Sequence, residues 1–461
     1  MMSGSAHPTS IDIAGAGLCG SLLAILLARR GVSVRVFERR ADPRSVPTAA
    51  GRSINLALSA RGIRALRHAG LFARVEPILL PMRGRLLHDE DGSTEFLPYG
   101  LRRDEQIYSV SRAALNRLLI DEAERSHAVP FFFRQEAVSW IGGSGELRMR
   151  GQDDGREFSL GERPVVAADG AGSSIRRSLQ DSGLVDAAES LLPHGYKELS
   201  VPSTADGGFQ LDPAALHIWP RGEFMLIALP NPGGDFTLTL FLPNEGPDSF
   251  AELNSAPRID SFFDRHFRDI VPLVPRLADT FLHNPLGKLG TVRCRPWHAG
   301  GSVLLIGDAA HAIVPFHGQG MNLAFEDCRL LELALEASGG DTLRAFLHFE
   351  QSQHANADAI ADMALENYVE MRDTVRDPGF VLRKELSFEL ERRLPGHFIP
   401  RYSMVMFHDE IPYAVARDRG VVQQQLLLEL TRDCRALQDV DLDAAAERVC
   451  ESLPPLPVAQ S

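Results

Sequence analysis

Residues 11 to 38 constrain the fold of this chain more than any other stretch. Ile11-Asp12-Ile13-Ala14 has strand character, Gly15-Ala16-Gly17-Leu18-Cys19-Gly20 follows at once, and an apolar helical pattern from Ser21 to Arg30 is closed by Gly31. Val32 to Phe37 returns as a second strand with Glu38 at its end, 18 positions after Gly20. Glycines let the backbone approach a pyrophosphate, a helix N-terminus offers it free N–H groups, and an acid ending the next strand accepts hydrogen bonds from a ribose diol. G-x-G-x-x-G alone is weak evidence and also occurs as a plain turn. With both strands, the helix and the acid in place, Gly15, Gly17, Gly20 and Glu38 predict a dinucleotide-binding βαβ unit. Arg39 and Arg40 either reach the adenosine side or are solvated.

A second stretch, Val303 to Asn322, carries complementary chemistry. Val303-Leu304-Leu305-Ile306 is a buried strand, Gly307 permits close backbone approach, and Asp308 offers a carboxylate to a ribose or ribityl hydroxyl. Gly318-Gln319-Gly320-Met321-Asn322 then precedes the helical pattern Leu323 to Leu335, so backbone N–H groups there would face an electron-rich group. An Asp after a strand is most often a cap, but the glycine loop begins only 11 positions after Gly307 and argues for a ligand. His311 and His317 stand six apart with no carboxylate or Cys at metal-site spacing, so no metal site is expected. Val165 to Ala168 is a further strand, ending in Asp169-Gly170 before a helix containing Arg176 and Arg177.

At 461 residues the chain exceeds the roughly 250 to 300 over which one hydrophobic core keeps growing, so more than one lobe is expected. A net charge of -13 argues against nucleic acid or an anionic membrane surface as partner. The five cysteines lack CxxC or metal-type spacing and fit a reducing cytoplasm. Neither a signal peptide nor an apolar stretch of spanning length is read; Ile13 to Ala28, the longest uncharged run, falls short of about 20 residues. A soluble cytoplasmic protein follows, its oligomeric state open between monomer and homodimer.

Between the two nucleotide stretches the pattern changes character. Gly51-Arg52-Ser53-Ile54-Asn55-Leu56-Ala57-Leu58-Ser59 leads into a helix from Ala60 through Leu71, and Met82 to Tyr99 alternates as strands about an Asp91-Gly92 turn. Arg85 within it reads as an ordinary surface arginine. Arg112 opens a helix running through Ala128, where a cation opposes the helix dipole; it either faces an anion or points into water. Leu216 to Trp219, Phe224 to Leu229 and Phe236 to Leu242 predict an antiparallel sheet, and Ile259 to Phe281 looks helical. From Leu330 onward the signals are helical. Ala364, Asn367, Tyr368 and Met371 share a stripe that ordinarily faces a core.

The G-x-G-x-x-G unit with Glu38, the Asp169-Gly170 turn and the Gly307-Asp308 turn with its glycine loop together resemble the single-component FAD aromatic hydroxylases. More narrowly, G-R-S-I-N-L-A-L-S, M-R-G-R, H-G-Y-K-E-L, L-H-I-W-P, P-F-H-G-Q-G-M-N, A-L-E-N-Y-V-E-M and F-I-P-R-Y-S-M, spread over residues 51 to 404, resemble the kynurenine 3-monooxygenase family in its soluble bacterial form. The resemblance implies an α/β fold with a discontinuous Rossmann-like FAD-binding domain (1–75, 105–185, 290–335). It further implies an antiparallel β-sheet substrate domain (76–104, 186–289) and a C-terminal helical region (336–461). It implies bound FAD, NADPH as transient co-substrate, O2, and 3-hydroxylation of L-kynurenine through a flavin C4a-hydroperoxide. Leu18, Glu38, Arg39, Ala57, Arg112, Asp308, Met321 and Asn322 would then contact FAD, with Gly15, Gly17, Gly20, Arg40, Asp169 and Gly320 completing its cradle. Arg85, Tyr99, Asn367 and Tyr402 would hold the amino-acid end of the substrate. Leu216, Met225, Phe241, Phe316, His317 and Met371 would line its ring pocket, and Pro315, Phe316 and His317 would form the catalytic set. A hydroxylase, halogenase or reductase with another substrate shares the FAD motifs and remains the near alternative; a non-catalytic FAD-fold binding protein is the distant one.

Overall fold

The computed structural model describes residues 10–45, 55–142, 145–161, 163–372 and 378–456, so the Gly51 to Ile54 part of one motif lies outside the described residues. The chain forms two compact units: residues 1–79, 110–192 and 288–361, and residues 80–109, 193–287 and 362–461. The helical segment set apart from residue 336 by the sequence is shared between them, the boundary falling at 361 within the helix Thr342–Arg372.

In the first unit a six-stranded sheet runs in the order 298–299, Val303–Leu305, Val165–Ala167, Ser10–Ala14, Ser33–Glu38, Phe131–Phe133. All neighbours are parallel except the first pair. The central strands are continuously apolar because parallel strands are covered on both faces, and Ile11, Ile13, Val166 and Leu304 are fully buried. The helix expected from Ser21 runs Leu18–Arg29, so the glycine motif itself supplies its first turn. Its residues from Gly20 to Leu27 are buried all round, as befits a helix enclosed on every side. The helix from Ala60 stops at His68 rather than Leu71, ended by Gly70 at φ +73°. A separate antiparallel sheet, Gln135–Ile141, Glu146–Gly151 and Glu157–Leu160, was not anticipated. Buried Leu147 and Met149 alternate there with Arg148 and Arg150, too short a period-2 run to stand out.

The second unit is organised on a sheet ordered His194–Val201, Phe236–Pro243, Phe224–Pro230, Ala215–Arg221, Gly84–His88, Thr94–Pro98. The pair Ala215–Arg221 with Gly84–His88 is parallel. One face, with Leu199, Val201, Trp219, Leu226, Leu238, Leu240 and Leu242, packs on Ile259, Phe262, Phe263 and Phe281. These come from the helices Ala256–His266 and Leu277–His283. The single helix expected over Ile259 to Phe281 is broken because Pro272 and Pro275 lack an N–H to donate. The helices Pro378–Arg393, Tyr413–Leu430 and Leu442–Ser452 share a core of Leu386, Leu390, Leu426, Ala445 and Val449. Among the described residues no helix is long and apolar enough to cross a membrane.

Candidate active site

The turn after the first strand is shaped by backbone contact. Gly15 has φ +105°, and a Cβ there would stand 2.4 Å from the Ala168 carbonyl; one at Gly20 would stand 2.0 Å from the Gly15 carbonyl. A Cβ at Gly17 would meet nothing within 4 Å, so the space beside it at the helix N-terminus is open. Glu38 accepts the Ala16 N–H on Oε2 at 2.9 Å and the Arg40 N–H on Oε1 at 2.9 Å. It thereby ties the glycine loop to the end of the second strand, and each oxygen keeps a lone pair for a ribose hydroxyl. Arg39 and Arg40 are exposed at the strand end, and Leu18 is buried in the first helical turn.

The Val303 to Asn322 stretch is held from beneath. Gly307, at φ +59°, leaves Asp308 exposed at the head of a one-turn helix. Under it, buried Asp327 accepts the Gly307 N–H at 3.2 Å on the same Oδ2 that meets His311 Nε2 at 2.7 Å, and Gln353 donates to Oδ1 at 3.0 Å. Burial opposes charge on His311, but the Asp327 carboxylate outweighs it and holds its pKa up. The sequence found no carboxylate partner for this histidine, because Asp327 lies 16 positions on in another helix; the pair anchors the turn. Arg176, fully buried, was also missed: its guanidinium donates to Ala309 O at 2.9 Å and Ala171 O at 2.6 Å and pairs with Glu189. It clamps the Asp169-Gly170 turn to the Gly307-Asp308 turn. Asp169 Oδ2 accepts the Ser174 N–H at 3.1 Å, while its Oδ1 is buried with no partner, and burial raises its pKa.

Asn322 is fully buried and spends its side chain on backbone. Its Oδ1 accepts the Ser59 N–H at 2.9 Å and its Nδ2 donates to Ala57 O at 2.8 Å and Gly318 O at 2.9 Å. Any cofactor contact from Asn322 therefore falls to its main chain, as at Gly320 and Met321, which open the helix Gly320–Ala337. Phe316 and His317 are buried on the tight turn Pro315–His317, Pro315 is exposed, and Gly318 follows at φ +66°. Arg112 is exposed at the first position of the helix Arg112–His127, whose cap is Ser111. These residues suit FAD: an open glycine cradle, a buried unpartnered Asp169 oxygen, and the carboxylates of Glu38 and Asp308, which can accept hydrogen bonds from hydroxyls.

The second unit brings together three of the four residues assigned to the amino-acid end, Arg85, Tyr99 and Tyr402, while Asn367 is not among the residues lining their cavity. Arg85 is only 8% exposed, which corrects its reading as a surface arginine. Its guanidinium carbon lies 4.8 Å from the Tyr402 ring centroid and 6.0 Å from that of Tyr99, and the two rings stack at 5.6 Å. Glu370, which the sequence reading passed over, stands 3.6 Å from Arg85 Nη1. Arg85 Nε is buried without a hydrogen-bond partner. Burial works against the Arg85 charge, but the phenols and Glu370 outweigh it and its pKa rises; burial first, with Tyr402 acting on Tyr99 and Glu370 on Tyr402, drives the two phenol hydroxyls upward against the Arg85 charge. These groups line a cavity of about 560 Å³ with Leu97, Lys384, Ser387 and Phe388. Asn367 and Met371 are buried one turn apart on Thr342–Arg372, the amide donating to the thioether sulfur at 3.2 Å.

Sheet register explains how the ring-pocket candidates reach the same face. Arg85 pairs with Leu216 and with Leu97, Pro220 with Met225, and Met225 with Phe241. Side chains at paired positions, and at even spacing along one strand, share a face. Arg85, Leu216, Met225 and Phe241 thus lie opposite the face sealed by helices.

Comparison with known proteins agrees with this architecture. An FAD binding domain model matches residues 8–193 and 282–363. The 2-methyl-3-hydroxypyridine-5-carboxylic acid oxygenase structure is 22% identical with a TM-score of 0.65, covering 80% of this chain and 94% of its own. The p-nitrophenol 4-monooxygenase of Pseudomonas putida DLL-E4, at 17% identity and a TM-score of 0.63, covers 90% and 97%. Both show the fold. The kynurenine 3-monooxygenase of Myxococcus xanthus (strain DK1622) is 44% identical over 98% of this chain and 97% of its own length. That of Xanthomonas campestris pv. campestris (strain 8004) is 46% identical over 99% of each. By full-length relatedness at this level, the chain belongs to the kynurenine 3-monooxygenase family of FAD-binding proteins.

Proposed function

We propose that this chain hydroxylates L-kynurenine at C3, consuming NADPH and O2 and releasing NADP+ and water. The observation that carries the reading is the buried Arg85 beside the stacked Tyr99 and Tyr402 rings in a cavity of a family member. A guanidinium whose Nε is still unsatisfied suits a carboxylate, and a facing carboxylate, Glu370, suits an α-ammonium. Arg85, Tyr99, Tyr402 and Asn367 would fix the amino-acid end, and the aryl ring would lie against Leu216, Met225, Phe241 and Met371. Gly15, Gly17, Gly20, Glu38, Asp169, Asp308 and the main chain of Gly320 to Asn322 would hold FAD. Leu18, Ala57, Arg39, Arg40 and Arg112 would flank it, with Pro315, Phe316 and His317 shaping its reacting end. Bound FAD would pass electrons from NADPH to O2 and deliver one oxygen atom.

The chain's own task is orientation. The ring amino group of kynurenine already enriches its ortho carbon in electrons, so holding that carbon in register with water excluded contributes more than a strong protein acid or base. The reading extends to a cytoplasmic monomer or homodimer without nucleic-acid or membrane partners, supported by the five free cysteines and the net charge of -13. NADPH and oxygen consumption with product identification, run on kynurenine, anthranilate and hydroxybenzoate, tests it. Formation of 3-hydroxykynurenine with kynurenine alone is expected; productive turnover only with another substrate would overturn it.

A further inference from the structure

The Arg85 cavity holds charges that the recognition scheme above does not use, and Lys384 stands apart among them. Lys384, on the helix Pro378–Arg393, lines it together with Arg85, Glu366, Glu370, Arg383 and Arg401. Arg401 pairs with Glu366, Arg383 is itself engaged, and Arg85 faces Glu370 at 3.6 Å. Among the described residues no carboxylate pairs with Lys384; the contact of its ammonium is the Phe388 ring, 5.7 Å to the centroid, one turn along the helix. Glu370 and, from the edge strand, Glu95 act on it only through space, while burial and the Arg85 charge push its pKa down to about 8. Tyr99 and Tyr402, the remaining titratable neighbours of Arg85, are held neutral by burial.

The charge count gives this ammonium a purpose. Glu370 already balances Arg85, so a substrate carboxylate approaching that pair alone would meet no net attraction. A second cation restores it and frees Glu370 for the substrate's ammonium. The chain has 45 arginines and 3 lysines, yet this position holds a lysine, the cation that can shed its proton when burial disfavours its charge. We propose that Lys384 is a second cation of the carboxylate site, holding the α-carboxylate of an amino-acid substrate jointly with Arg85 and leaving Glu370 to its α-ammonium. This rests on the kynurenine reading and goes beyond it by naming a binding residue and the pH dependence it creates.

The probe is 4-(2-aminophenyl)-4-oxobutanoate, kynurenine without its α-amino group, whose carboxylate stays ionised throughout. Its Kd is measured on FAD-loaded enzyme by flavin absorbance between pH 6.5 and 9.5. Wild-type affinity is expected to be level below about pH 8 and to fall by up to about tenfold per pH unit above it. Lys384→Arg should bind with a flat profile. Lys384→Met should bind roughly tenfold or more weakly at pH 7, also with a flat profile. A flat wild-type profile with intact binding overturns the proposal without any variant, and so does normal affinity in a folded, FAD-loaded Lys384→Met. If wild type binds neither this acid nor kynurenine, the substrate reading itself falls and takes the proposal with it.

Discussion

Replacing Arg85 by lysine keeps the charge and removes the planar fork, and the structure sets what that should cost. Arg85 is 8% exposed, sits beside two mutually stacked aromatic rings at 4.8 and 6.0 Å, and keeps Glu370 at 3.6 Å as its counter-charge. An ammonium in its place can still face Glu370, so the fold loses little. It cannot present two parallel N–H groups to a carboxylate or lie flat on the Tyr402 ring. A lost charge-assisted hydrogen bond costs about 1.5 to 3 kcal/mol, and at about 1.4 kcal/mol per decade that is roughly 10-fold to 150-fold in Kd. Kynurenine binding is read by flavin absorbance on variant and wild type, with FAD content and Tm as controls expected to stay near wild type. The decarboxylated amine of kynurenine should bind both proteins equally, because it offers nothing to the fork. Normal kynurenine affinity in the variant, or equal weakening for the decarboxylated amine, would refute the assignment of Arg85 to the substrate carboxylate.

Glu38→Ala removes the acceptor for the Ala16 and Arg40 N–H groups as well as for a ribose hydroxyl, so FAD occupancy after gel filtration should fall while the Arg85 cavity is untouched; unchanged occupancy would remove Glu38 from the cofactor site. Arg176→Met strands two carbonyls and releases the clamp between the two turns, which should cost about 2 to 4 kcal/mol in chemical denaturation and weaken FAD retention. Glu391 has its pKa raised to about 7, first by burial and then by the Glu105 charge, and one of its oxygens lacks a partner. A carboxyl protonated more readily when folded than unfolded makes stability fall as pH rises from its ordinary value, about 4.3, to about 7. Glu391→Gln should therefore raise Tm at pH 8 and change it little at pH 4.5, and equal effects at both pH values would exclude a buried titrating carboxyl.

Much of the first unit was legible because its information is local. The glycines, the helix and Glu38 act within 28 residues, and φ values of +105° at Gly15 and +59° at Gly307 are open to glycine almost alone. The Ala215 to Pro243 strands were legible too, since alternation marks the face that packs on helices. Broken segments failed where a non-helical residue intervened, as at Pro272, and the Gln135–Leu160 sheet failed because its apolar positions are few.

The sequence by itself determined the dinucleotide fold, the discontinuous layout and, through family resemblance, the set of residues worth testing. Only the tertiary structure decided what those residues do for one another. Arg85 looks like surface in sequence and is buried because Tyr99, just past the end of the next strand, and Tyr402, more than 300 positions on, close over it. Glu370 and Lys384 carry no signal in sequence, since a charged residue on a helix ordinarily faces water. They acquire meaning when two helices bring them to the cavity that holds Arg85. Asn322 moves the other way: it looks like a ligand-binding side chain, and it spends its polar atoms on the backbone of Ser59, Ala57 and Gly318. Spacing along a chain fixes which backbone shapes are allowed; which charges are paired, buried or left for a ligand depends on distances between distant segments, and folding alone sets those.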